Sequence, residues 1–142
     1  NLVNQFNTQM TNKSKKILAE ISAGELLDKI SILEIKLDRI KNPESQHEIK
    51  KEYKLLKDAQ ISNMKMSDKV KQLFEEIKKV NIKLWNIEDE IRVYEKNKDF
   101  GKKFIDLARA VYSTNDKRSK VKLEINEMFG SNIKEVKQYV DY

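Results

Sequence analysis

The chain has 142 residues with no cysteine, three glycines and one proline, enough for one domain with a real core and short for two. Without cysteine it can build neither a disulfide scaffold nor a thiolate metal site, and so few Gly and Pro leave little material for β-turns or a Gly-rich phosphate loop. Charged residues supply 37 % and apolar residues 39 % of a chain of net charge +6, the balance of amphipathic helices; no apolar run approaches the ~20 residues of a membrane span and no signal-peptide core opens the chain, so a soluble, cytoplasmic protein is expected.

Residues 1–16 are polar and show no helical period, and are read as a flexible arm. Met10 is read as an alternative natural start, which would set residues 1–9 outside the natural protein. Residues 17–142 are read as a single helical domain. ILAEIS (17–22) alternates over a short run and is expected to be extended. Ser22 and Glu25 then form an S-x-x-E capping box, and Leu26, Ile30, Leu33, Leu37 and Ile40 recur along one face of a first helix.

Asn42-Pro43 ends that helix and opens a second, from about 44 to 61, with Asn as cap and Pro at the first helical position. Ser67 caps the third helix, 68–96. Its residues Val70, Leu73, Ile77, Val80, Leu84, Ile87, Ile91 and Tyr94 fill eight successive a/d positions. At ~1.5 Å per residue this helix is ~43 Å long. A fourth helix is expected from Phe100 to Tyr112. A fifth starts at STND, where Ser113 or Thr114 would be the cap, with Asp116 completing a box, and stops at Gly130. Asn132 and Glu135 suggest a last short helix. The expected fold is all-α: an elongated antiparallel helical bundle with one long coiled-coil-like helix (68–96) and a C-terminal helical segment.

Charge is unevenly placed. Between Lys96 and Lys122 stand nine cations against three anions, so this window holds the whole excess. Lysine makes up 25 of the 29 basic residues, a bias that codon usage alone produces, so a high pI is a weak argument for nucleic acid. Arg109, Lys117, Arg118, Lys120 and Lys122 are the candidate anion-binding residues. Asp116 already complements the positive end of the helix expected at STND, and cations there cost ~0.3–1 kcal/mol unless something negative compensates. That negative partner is either a set of acidic side chains from other helices or a phosphorylated ligand.

On the third helix Asn81, Trp85, Glu88 and Arg92 are spaced 4, 3 and 4, so an amide, an indole, a carboxylate and a guanidinium share one edge. They are candidate pocket residues; the plainer alternative is a Glu88–Arg92 pair beside a boundary tryptophan. Ile32 and Ile35 lie roughly opposite the main stripe of the first helix; either the chain's own fourth to sixth helices bury them, or they are interface residues of a homodimer. His47, the only histidine, lies in a polar stretch without a cysteine or second histidine to join it. No nucleophile elbow, Walker loop, dinucleotide fingerprint or H-E-x-x-H is present. No catalytic residue, cofactor or metal is assigned.

The blocks ISAGELLDKISILEIKLDRI, VNIKLWNIEDEIR and FIDLARAVYSTNDKRSKVKLEIN, the last followed within a few residues by GS, resemble a small bacterial or phage domain family of unknown function, over residues 17–142. The resemblance carries no site residues. LLDKISILEIKLDRI is also similar to the first helix of chorismate mutases, an all-helical enzyme family that needs several active-site arginines. This chain has four arginines and lacks the one expected early in that helix. The leading expectation is a non-enzymatic helical binding or interaction protein that self-associates. The alternatives are a binder of nucleic acid or another phosphorylated anion through residues 96–122, and a small mutase-type enzyme, which a pocket of convergent Arg and Glu would favour.

Overall fold

The structure, a computed structural model, describes residues 15–142. The arm expected at 1–16 therefore lies outside the described residues except for Lys15 and Lys16, and so does Met10. Four helices account for the regular structure, with no strand among the described residues: α1 Ala23–Arg39, α2 Pro43–Asn63, α3 Asp68–Lys96 and α4 Lys102–Phe129. Residues 17–22, expected to be extended, form no ladder. No helix among the described residues is long and apolar enough to cross a membrane.

Local chemistry sets the helix starts. The Ser22 side chain accepts from the Glu25 N–H, that of Asn42 from the Ser45 N–H, and that of Ser67 from the Val70 N–H. Each satisfies a backbone donor that the first turn leaves open. Pro43 occupies the first turn of α2, where its missing N–H costs nothing. Gly130 ends α4 at φ 56, and the Ser131 N–H closes back on the Asn126 carbonyl at 2.9 Å.

Two sequence expectations fail. The break at STND does not occur: α4 runs unbroken for 28 residues through it. No Gly or Pro interrupts residues 102–129, and the half-buried Phe104, Leu107 and Val111 share one face with the buried Thr114, Val121 and Ile125, which carries the stripe across the supposed boundary. Ser113 instead donates to the Ala110 carbonyl one turn back, and Asp116 accepts from the Tyr142 hydroxyl. Lys117, Arg118 and Lys120 are therefore mid-helix, away from any helix start whose dipole would penalise them. The short helix after Asn132 does not form either, and residues 133–142 are irregular. A segment so short is below the length at which helix formation outruns its nucleation cost.

The core lies at one end of the α3–α4 pair. Leu26, Leu27 and Ile30 of α1 meet Val70, Leu73 and Ile77 of α3 and Val121 and Ile125 of α4. Tyr53, Leu56 and Ala59 of α2 close over this cluster. The expected α3 stripe is buried at Val70, Leu73, Ile77, Leu84 and Ile87, while Val80, Ile91 and Tyr94 are half-buried. Asn81 rather than Val80 is turned fully inward. That substitution of an amide for an apolar side chain marks where the core becomes polar.

Candidate functional site

Three helices bring polar side chains together beside the apolar core. Asp28 of α1 is 1 % exposed, and a polar group so placed needs hydrogen-bond partners to offset its desolvation. Arg118 of α4 supplies two of them: Nε donates to Oδ1 at 2.8 Å and Nη2 donates to Oδ2. This is the fork geometry that lysine cannot provide. Asn81 Nδ2 of α3 donates to Asp28 Oδ1 at 2.9 Å and to Ser31 Oγ at 2.8 Å, while Ser31 donates to the Asp28 carbonyl at 2.7 Å. The hydrogen bonds to Asp28 hold the Arg118 guanidinium above its already high ordinary pKa, against the opposing effect of partial burial.

One turn along α4, Lys122 continues the network. Its ammonium donates to Glu25 at 2.8 Å and to Glu135 of the C-terminal segment at 3.1 Å, with the Asp28 carboxylate 4.0 Å away. Burial alone would lower the Lys122 pKa; the Glu25 and Glu135 hydrogen bonds outweigh it and the pKa is raised. The Lys122 hydrogen bond in turn lowers the Glu135 pKa. The same region caps α1 from outside: Gly24 N–H donates to Asn126 Oδ1 and Ala23 N–H to Ser131 Oγ. Glu25, expected to complete the capping box, turns to Lys122 instead.

Thr114 lies one turn before Arg118. Its hydroxyl is buried with no hydrogen-bond partner among the described residues. An unsatisfied buried hydroxyl costs ~1–3 kcal/mol, and valine keeps the shape and the branching without it. Thr114→Val is expected to stabilise the protein by ~1 kcal/mol in urea denaturation; a loss of stability would show that the hydroxyl is satisfied.

Above the network opens a cavity of about 460 Å³. Ile32, Ile35, Leu84 and Trp85 form its apolar walls. Asn81, Glu88, Asp89, Arg92 and Arg118 supply its polar groups. Arg92 is ion-paired with Glu88 one turn away. The Arg39 guanidinium sits 6.0 Å from the centre of the Trp85 ring and donates to Asn86 at 2.6 Å, so the indole is held from outside. Counting Asp28 behind Arg118, two cations face three carboxylates, and the cavity and its back wall carry one negative charge in balance.

The structure thus gathers Asn81, Trp85, Glu88 and Arg92 with Ile32, Ile35 and Arg118, residues that the sequence suggests for three separate purposes. Ile35 is buried within its own chain and Ile32 half-buried on the cavity wall. Arg118 and Lys122 are bound to carboxylates from other helices and from the tail. Arg109 and Lys117 are exposed, and Lys120 faces a groove against the tail. Sequence reasoning missed Asp28, Ser31, Leu84 and Asp89. A signal for the first two exists: Gly24, Asp28, Ser31 and Ile35 repeat the 4, 3, 4 spacing of Asn81 to Arg92, and all four are buried. Thr114, Arg118, Val121 and Ile125 repeat it again on α4.

Among the described residues no group of His, Cys, Asp or Glu could hold a metal ion, and His47 is exposed on α2. No curated protein and no solved structure matches the chain. A family profile does, over residues 17–141. The chain belongs to that family, a family of unknown function (DUF6165).

Proposed function

We propose that the protein is a non-enzymatic helical binding module whose ligand seat is the cavity between α1, α3 and Arg118. The observation that carries this reading is the Asp28–Arg118–Asn81 network at its back. Such a pair stabilises a fold weakly compared with well-packed apolar side chains of the same volume. It does, however, fix a guanidinium edge beside Trp85, and a seat of this kind, mostly apolar with a few placed polar groups, suits a small organic ligand. With one negative charge in balance, the site favours a flat, neutral or singly positive molecule carrying one hydrogen-bond acceptor for Arg118.

A mutase-type enzyme is the competing reading, favoured by the convergence of Arg92, Arg118 and Glu88. Both arginines are already matched by carboxylates, which supports binding of a neutral group over binding of an anionic substrate. The same charge balance weighs against a phosphorylated ligand in this cavity. The bundle is read as elongated and antiparallel with α3 as a coiled-coil-like spine. In support, Gly24, Glu25 and Asp28 meet Asn126, Lys122 and Arg118 in opposite order along the chain. The protein is taken as bacterial or phage and cytoplasmic, as its three sequence blocks and composition suggest.

Trp85 is the only tryptophan, so its emission reports on the cavity alone. Titration with flat neutral or monocationic organic fragments is expected to change that emission and raise Tm, while dianionic fragments leave both unchanged. Ile32→Trp, which fills the cavity, would add a second indole, so its readout is Tm: the ligand-induced rise should disappear. Preferential binding of dianions, or a rise that survives Ile32→Trp, would overturn the assignment.

A further inference from the structure

The far end of the α3–α4 pair is open beyond Tyr112, whose ring meets Tyr142 of the C-terminal segment edge to face at 5.3 Å. From Glu88 to Ser113 not one residue is buried, although the stretch holds Ile91, Phe104 and Val111 on its inner side and Val93, Ile105 and Tyr112 about half exposed. Two helices alone cannot enclose an apolar seam, whereas four can. The charges divide by limb. Residues 88–96 of α3 carry four carboxylates and two cations, and residues 102–112 of α4 carry three cations and one carboxylate. Local ion pairs tie Arg92 to Glu88, Lys98 to Glu95 and Lys102 to Asp106. That leaves Asp89, Glu90 and Lys96 on one limb and Lys103 and Arg109 on the other without an ion pair among the described residues.

We infer that this hairpin end is a self-contact, covered by a second copy of the chain about a two-fold axis. Each acidic α3 limb then lies against the basic α4 limb of the other copy. A two-fold contact uses one patch twice, so a patch with excess acid on one side and excess base on the other is complementary to itself. Pairing of like limbs would set negative against negative and positive against positive, which complementarity disfavours. The limbs also form a four-helix cross-section that covers the exposed Ile105 and Val93. This assignment moves the self-contact away from Ile32 and Ile35, and it does not rest on the occupant of the cavity.

The test uses the full chain at micromolar concentration in sedimentation equilibrium. The wild type is expected at twice the 16.8 kDa chain mass, and Ile105→Asp, at an exposed site, at the monomer mass with unchanged helical circular dichroism. Lys103→Glu with Arg109→Glu makes both limbs acidic, and Glu90→Lys with Glu95→Lys makes both basic. Each double variant alone should dimerise at least about tenfold more weakly, and their equimolar mixture should regain dimers, because acid again meets base in both contacts. A monomeric wild type overturns the inference. So do double variants that dimerise as well as the wild type, or a mixture that stays monomeric.

Discussion

Arg118→Ala is expected to lower the unfolding free energy by about 3–5 kcal/mol, the loss typical when one partner is removed from a buried ion pair. The cost arises at Asp28, which is 1 % exposed in the wild-type fold and would keep only the Asn81 amide and an ammonium 4.0 Å away. Urea denaturation with an unchanged m-value measures it. Lys117→Ala, one position earlier and exposed, should stay within about 0.5 kcal/mol. Replacing both partners, Asp28→Leu with Arg118→Met, should recover most of the loss, because neither desolvated charge then remains. Recovery of stability without recovery of ligand binding is the pattern expected if the pair serves the cavity rather than the fold. Equal small losses at Arg118 and Lys117 would show that Arg118 is solvated.

The second large effect is expected at Gly24. Helix propensity alone predicts that Gly24→Ala stabilises α1 by about 1 kcal/mol. The structure predicts the reverse sign. A Cβ at this position would press inside van der Waals contact on the Lys122 backbone carbonyl and lie 2.7 Å from Asn126 Oδ1. The first obstacle is main chain and cannot rotate away. The second is the acceptor of the Gly24 N–H itself. Moving α1 from α4 would stretch the Asp28–Arg118 and Glu25–Lys122 contacts together, so a loss of about 1–3 kcal/mol is expected, as for an overpacked core. Thermal unfolding of the variant decides the sign; a higher Tm would mean that the two helices do not approach closely at Gly24.

What was legible in the sequence was whatever is encoded within a few residues. Ser22, Asn42-Pro43, Ser67 and Gly130 each bound a helix by a local hydrogen bond or a local φ preference, and the α3 stripe identifies its buried side. STND misled because cap propensity describes what a chain start prefers, while the inner face that runs from Phe104, Leu107 and Val111 on to Thr114, Val121 and Ile125 decides what the chain does. The stripe Asn81–Trp85–Glu88–Arg92 could be read as one edge, yet nothing on α3 tells what stands across from it. The pairing of Asp28 with Arg118 joins residues 90 positions apart. Each looks ordinary in its own helix: one acid on an apolar face, one cation in a basic run. Only the crossing of α1 with α4 turns them into a buried pair, which is why the basic run looked free for a ligand.

We propose the cavity beside Trp85, and not the basic surface of α4, as the place where the protein meets a small ligand. Two-dimensional ¹H–¹⁵N NMR of the full chain, titrated with a flat monocationic fragment and separately with inorganic phosphate, tests this most directly. The fragment is expected to shift the Trp85 indole N–H, the Asn81 side-chain amide and the Arg118 Nε–H together with the backbone amides of Ile32 and Ile35, while phosphate leaves them in place. Shifts induced by phosphate at Arg109, Lys117 and Lys120, with the Trp85 and Asn81 signals unmoved by either compound, would contradict it.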